Sequence, residues 1–86
     1  MSEIKLEELE KQVIDIIRRI TGMDPEEIIR DGHLYRDLNI DSIKAIELLV
    51  GIQEKFHIRV DDSKVQNLTT VALIAEEIKR LLENKR

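Results

Sequence analysis

The sequence predicts an all-α protein: a small three- to four-helix bundle with a long loop between its first and second helices. Three observations carry that expectation. Apolar residues recur at three- and four-residue steps over three separate segments. Capping residues and helix breakers stand at the ends of those segments. The one stretch that alternates like a strand is short and has no second strand to pair with.

The first helix is expected over residues 3–21. Leu6, Leu9, Val13, Ile16, Ile17 and Ile20 form one face, and Glu7, Glu8, Glu10, Lys11, Arg18 and Arg19 cover the rest. Acids lead and bases trail, which complements the helix dipole. Gly22 follows Thr21 and can take the positive φ that ends a helix. Asp24-Pro25-Glu26-Glu27 reads as a second start: Asp24 can cap, Pro25 suits the first helical position, and Glu27 stands where a capping-box acid belongs. A short helical turn is expected over residues 25–30, broken by Asp31-Gly32.

The stretch from residue 22 to 41 is long for a helix–helix connection, and loops of that length tend to be functional or disordered. Ile28, Ile29, Leu34, Tyr35, Leu38 and Ile40 offer apolar anchors, so it reads as an ordered loop packed over the bundle. The second helix should run from Ser42 to about Phe56. Its expected buried stripe is Ile43, Ile46, Leu49, Val50 and Phe56, widened by Leu48 and Ile52. A helix apolar around so much of its girth is either central or presents an apolar edge to partners. Gly51 costs it about 1 kcal/mol against alanine, which close helix packing would offset.

Phe56 to Val60 reads as an extended connector, and Asp61 to Val65 as one helical turn. Thr69 or Thr70 caps the last helix. Val71, Ile74, Ile78, Leu81 and Leu82 line its inner face, and Lys79, Arg80, Lys85 and Arg86 stand at its negative end.

At 86 residues the chain is expected to be one domain over residues 1–86. Such a domain buries about 60% of its unfolded surface, with a stability on the order of 4–13 kcal/mol. That leaves room for a core but little for a deep cleft. Tyr35 and Phe56 are its only aromatics, so aliphatic side chains must fill the interior. The net charge of −4 argues against a nucleic-acid partner and fits partners with basic patches. Without cysteine the chain has no disulfide and no thiolate metal site. Any thioester chemistry must borrow its thiol from a prosthetic group. The first eight residues are acidic and lack an apolar stretch of signal-peptide length, and no run reaches membrane-spanning length. A cytoplasmic monomer without stable membrane insertion is the expectation.

The run Leu38-Asn39-Ile40-Asp41-Ser42-Ile43-Lys44-Ala45-Ile46-Glu47-Leu48 carries the chemistry. It places a serine, preceded by an acid, where the long loop becomes an apolar helix. A hydroxyl there is exposed and lies in the positive end of the helix dipole, which suits a covalently attached phosphate. Asp-Ser before an apolar helix is, on its own, the pattern of a cap. Agreement along the chain adds to it. The run resembles the phosphopantetheine attachment site of acyl carrier proteins, whose core is Asp-Ser-Leu or Asp-Ser-Ile at the head of the second helix. The resemblance extends over residues 6–82. It takes in the first-helix pattern, Leu38 before the serine, Glu47-Leu48, Glu54-Lys55-Phe56, the Ile58-x-Val60 connector and the Thr69-Thr70-Val71 helix start.

The resemblance implies a carrier and not an enzyme. A separate phosphopantetheinyl transferase would move 4'-phosphopantetheine from coenzyme A onto Ser42 Oγ. Acyl intermediates would then ride as thioesters on the arm, in a fatty-acid, polyketide or related pathway, served by acyl-transferring, condensing or modifying enzymes. It implies that Asp41 and Ile43 flank the modified serine and meet the transferase. It also implies that Lys44, Glu47, Leu48 and Glu54 lie where partner enzymes read the second helix.

The departures are specific. Lys44, Gln53 and Lys55 stand where acids are frequent in the family, Asn39 replaces a common glycine, and His57 and Arg59 follow the helix where acids are usual. The second helix is thus locally neutral. Charge complementarity sets partner choice and on-rate more than affinity, so a specialised carrier is expected in place of one serving bulk fatty-acid synthesis. Ile46, Leu49, Ile58 and Val65 are the side chains expected to part if the acyl chain enters the bundle.

Other readings are an aminoacyl or peptidyl carrier, and a non-covalent helical interaction module in which Ser42 is only a cap. A Ser42–His33–Asp37 triad can be drawn, but a small bundle loop offers neither the rigidity nor the oxyanion hole that hydrolysis needs. His57 with Asp61 and Asp62 is a weak candidate for a cation, with helix capping the better account of the two acids. Tyr35 is expected to pack over the loop.

Overall fold

A computed structural model describes residues 4–28, 32–38 and 40–84, with the side chains of Pro25 and Asp62 left aside. Its helices are α1 (Leu6–Thr21), α2 (Ser42–Phe56), α3 (Asp62–Val65) and α4 (Val71–Glu83), with one 3₁₀ turn at Pro25–Glu27. No strand occurs among the described residues. The all-α bundle with a long first loop is therefore what the sequence folds into.

α1 starts without a side-chain cap at Lys5, and Glu7 and Glu8 in its first turn supply the charge the dipole favours. It ends on Gly22, whose φ of 76° lets its N–H reach Arg18 O at 2.8 Å. Leu9, Val13, Ile16 and Ile17 are buried, with Leu6 and Ile20 packed at the edge. This helix is the hub of the bundle, packing against both α4 and α2. The second helix is therefore not the central one.

The face that α2 buries also differs from the expectation. Leu48 and Ile52 are in the core, with Ala45 and Phe56 packed against it. Ile43, Ile46 and Val50 are 72%, 62% and 44% exposed. Two apolar stripes at helical spacing share this helix, and α1 covers only one. The close approach expected at Gly51 is present: a Cβ there would lie 3.3 Å from Ile16 Cγ2.

The loop between α1 and α2 is held down by its leucines and isoleucines. Ile28, Leu34, Leu38 and Ile40 are each 5% exposed or less and join the common core. The helical turn is shorter than expected, Pro25–Glu27, because the capping pair closes around it: Asp24 N–H donates to Glu27 Oε1 and Glu27 N–H to Asp24 O, both at 2.9 Å. Ile29, Arg30, Asp31 and Asn39 lie outside the described residues, as do Lys85 and Arg86 beyond α4. Tyr35 packs over the loop with its ring 5.8 Å from that of His33 and contributes to the wall of an apolar cavity, while remaining 45% exposed.

Past α2 the connector is extended, with Val60 buried. Gln53 Oε1 accepts the Val60 N–H at 2.8 Å, so this departure from the family pattern fastens the connector to α2. Asp61 caps α3 through the Ser63 N–H and hydroxyl, both at 3.0 Å. Thr70 caps α4 by accepting the Leu73 N–H at 3.1 Å. Val71, Ile74 and Ile78 are buried there, joined by Ala72 and Ala75.

Candidate functional site at the head of α2

The loop delivers its last buried anchor, Ile40, directly before the site. Leu34 accepts the Ile40 N–H at 3.0 Å, while the Leu34 N–H donates to Thr69 O at 2.8 Å, which ties the loop to the approach of α4. The chain then turns outward at Asp41. Asp41 has extended backbone and is the N-cap of α2, its Oδ1 accepting the Lys44 N–H at 2.9 Å. Its carbonyl takes the Ala45 N–H at 2.8 Å. Ser42 is the first helical residue and is exposed.

This arrangement separates two roles that the sequence leaves merged. Asp41 is the cap, so the Ser42 hydroxyl is not needed to satisfy the helix start. The first N–H groups of any α-helix lack a partner within the ladder, and the dipole adds partial positive charge there. A phosphodiester on Ser42 Oγ fits that environment and meets open solvent on the side away from the core. The Asp41 carboxylate opposes it, and the helix end offsets that repulsion by about 0.3–1 kcal/mol.

The residues expected around Ser42 are placed as follows. Asp41 and Ile43 flank it and are exposed. Glu47 and Glu54 are exposed on α2, and Lys44 is half-buried beside them. Leu48 does not belong with them. It is 3% exposed and sits in the core, so no partner enzyme can touch it. In its place the surface offers Ile43, Ile46 and Val50, an apolar edge that begins next to the serine.

The triad drawn on paper does not form. His33 Nδ1 accepts the N–H groups of Tyr35 and Arg36 at 3.2 and 3.3 Å, so it carries no proton to give to Asp37. Asp37 Oδ2 instead accepts the His33 backbone N–H at 2.8 Å. Both residues brace the loop. Asp61 is engaged as a cap, and the backbone and hydroxyl donors of Ser63 hold its carboxyl below the usual carboxylate range. No cluster suited to a metal ion occurs among the described residues.

A narrow, part-open cavity of about 30 Å³ lies among the loop, α2 and α4. Leu49 and Val65 line it as expected, together with Ala45, Leu48, Ile52 and Ile74; Ile46 and Ile58 do not. Ile46 points to solvent on the second stripe of α2. Glu77 also lines this cavity; it stands three residues after Ile74 and four before Leu81, on the border of the α4 apolar face, where spacing alone does not decide burial.

Fold and site together are those of a small helical bundle whose second helix begins on an exposed serine, the arrangement expected of a carrier. The family model described as "Phosphopantetheine attachment site" matches residues 11–78. The acyl carrier protein of Buchnera aphidicola is 33% identical over 75 residues, covering 87% of this chain and 96% of that protein. That of Renibacterium salmoninarum is 38% identical over 65 residues, covering 76% and 80%. The meromycolate extension acyl carrier protein of Mycobacterium tuberculosis is 31% identical over 77 residues, covering 90% and 67%. The chain belongs to the acyl carrier protein family, whose members bear a covalent 4'-phosphopantetheine group and serve as carriers, not catalysts. No helix among the described residues is long and apolar enough to cross a membrane.

Proposed function

We propose that Ser42 is the attachment residue and that the chain carries acyl groups for a dedicated set of enzymes. The exposed hydroxyl at the first position of α2, beside a cap supplied by Asp41, is the observation that supports this. The arm, when attached, supplies the thiol that a cysteine-free chain lacks. What the chain's own residues do is hold that arm at one point on a rigid helix end. Tethering then raises the effective concentration of the cargo at each partner. Asp41 and Ile43 are the contacts for a phosphopantetheinyl transferase.

Incubation with coenzyme A and a promiscuous transferase should add one prosthetic group to the intact mass, and Ser42→Ala should abolish the gain. An unchanged mass would favour a non-covalent docking module. The cap role that such a module would assign to Ser42 is already taken by Asp41.

A specialised pathway is the finer reading. On α2 the charges of Lys44 and Lys55 balance those of Glu47 and Glu54, while Ile43, Ile46 and Val50 are exposed. Partners of this face dock by apolar contact more than by a basic patch, whether in a fatty-acid, polyketide or related pathway. The likeness to a protein named for meromycolate extension supports a dedicated pathway. Efficient turnover in a generic fatty-acid synthase assay would overturn it. Relatives named acyl carrier proteins support acyl cargo over aminoacyl or peptidyl cargo. The chain acts as a cytoplasmic monomer in this reading, with no nucleic-acid partner.

A further inference from the structure

Ser42 opens α2, and Ile46, Leu49 and Gln53 follow it four, seven and eleven positions on. At 3.6 residues per turn these four side chains share one face of the helix. A single row therefore runs from the serine down α2, along the border of the buried stripe. Eleven residues at about 1.5 Å of rise put Gln53 roughly 16 Å from Ser42.

The row ends in an open groove between α2 and the extended connector, lined by Leu49, Gln53, Arg59, Val60 and Asp61. Leu49 and Val60 give it an apolar floor, and both also line the inner cavity, which the groove adjoins. The polar groups around that floor are held in place. Gln53 Oε1 accepts the Val60 N–H at 2.8 Å, which fixes the amide plane and leaves Nε2 to donate to an occupant. Asp61 Oδ1 accepts the Ser63 N–H and hydroxyl, both at 3.0 Å, which leaves Oδ2 as an acceptor. Arg59 is exposed, and its guanidinium has no ion-pair partner among the described residues.

Donors and an acceptor around an apolar floor suit a chain that alternates amides with methylenes. 4'-Phosphopantetheine is such a chain, with amide groups and short apolar spacers between its phosphate and its thiol. From Ser42 Oγ to sulfur it has about fourteen bonds, the equivalent of four to five residues, so extended it spans about 15–17 Å. That is the length of the row from Ser42 to Gln53.

We propose that this groove is a resting site for the prosthetic arm. With no partner enzyme bound, the arm lies along the row of Ile46, Leu49 and Gln53. Gln53 Nε2 and Arg59 donate to its amide carbonyls, and Asp61 accepts an amide N–H. This rests on the carrier reading and deepens it. An arm already ordered on the surface loses less freedom when a partner takes it up, and immobilisation is one of the main costs of binding.

The test compares backbone amide spectra of the full chain before and after loading from coenzyme A, under reducing conditions with the thiol left free. Loading should shift the signals of Gln53, Arg59 and Val60, about three turns of helix from the attachment point. Gln53→Glu keeps the acceptor for the Val60 N–H and removes the donor. Arg59→Ala removes an exposed side chain outside the core. Each should shrink the groove shifts about two- to tenfold, the effect of one hydrogen bond on an equilibrium. Shifts are taken against the unloaded chain of the same variant, so the substitution's own effect cancels. If Gln53→Glu does not fold, Arg59→Ala alone decides the matter. Shifts confined to the neighbours of Ser42, or shifts at Ile74 and Ile78 of the inner cavity with none at Gln53 and Arg59, overturn the proposal. So do groove shifts of undiminished size in both variants. Failure of the carrier reading is seen separately and earlier, as the absence of any mass gain at Ser42, and it removes this proposal with it.

Discussion

Asp41 Oδ1 accepts the Lys44 N–H at 2.9 Å, so the start of α2 is closed by the acid and not by the serine beside it. Loss of an N-cap side chain costs about 1 kcal/mol. Asp41→Ala should therefore lower stability by that amount in urea denaturation, while Asp41→Asn, which keeps the acceptor, should stay within a few tenths. If both variants lose the same amount, the carboxylate charge and not the cap is what α2 uses.

Ser42→Ala gives the complementary outcome. The hydroxyl is exposed and has no part in the cap, so the change should alter stability by under about 0.5 kcal/mol. It should nevertheless abolish loading by a transferase. A stability loss on the order of 1 kcal/mol would return Ser42 to the helix-cap role, whatever the loading assay showed.

The same locality explains what could be read from the sequence. The serine, its acid and the helix start are neighbours along the chain, so their geometry follows from capping chemistry. α1 and α4 each carry one apolar stripe and could be oriented from spacing. α2 carries two, Ile43-Ile46-Val50 and Ala45-Leu48-Ile52, both at helical steps. Periodicity cannot choose between them. The choice is made by where α1 lies, and that is a tertiary fact. For that reason spacing leaves Leu48 in a widened buried stripe, and only the family resemblance puts it on the partner surface. Glu77 was invisible for a related one: its burial depends on Lys64 and Leu68, which α3 and the residues after it bring alongside.

The contact that seats α2 makes its own prediction. Alanine at Gly51 would put its Cβ 3.3 Å from Ile16 Cγ2. Ile16 is β-branched, held in one helical rotamer and 9% exposed, so it has little room to yield. Gly51→Ala should gain none of the roughly 1 kcal/mol that helix propensity offers. Gly51→Val should lose about 1–3 kcal/mol through overpacking. Chemical denaturation of the two variants measures both. A clear gain in Gly51→Ala would mean that α1 and α2 are less closely seated than the structure has them.

Glu77 carries the pH dependence. The hydrogen bonds from Arg80, helped by the charges of Arg80 and Lys64, outweigh burial and the repulsion of Asp61, and hold its carboxyl below the ordinary 4.5. A carboxyl lowered by folding stabilises the native state wherever it is ionised in both states, above its unfolded value. That contribution is lost as pH falls through the folded value. The stability gap between wild type and Glu77→Gln should therefore be full at neutral pH, at about 1 kcal/mol for a charge-assisted bond whose Arg80 partner is half in water. It should shrink steadily below pH 4.5. Denaturation midpoints of the pair, taken in steps from neutral to acid, measure it. A gap that stayed constant down the series would mean that the charge at Glu77 adds nothing to the fold, and that the clamp with Arg80 holds by shape alone.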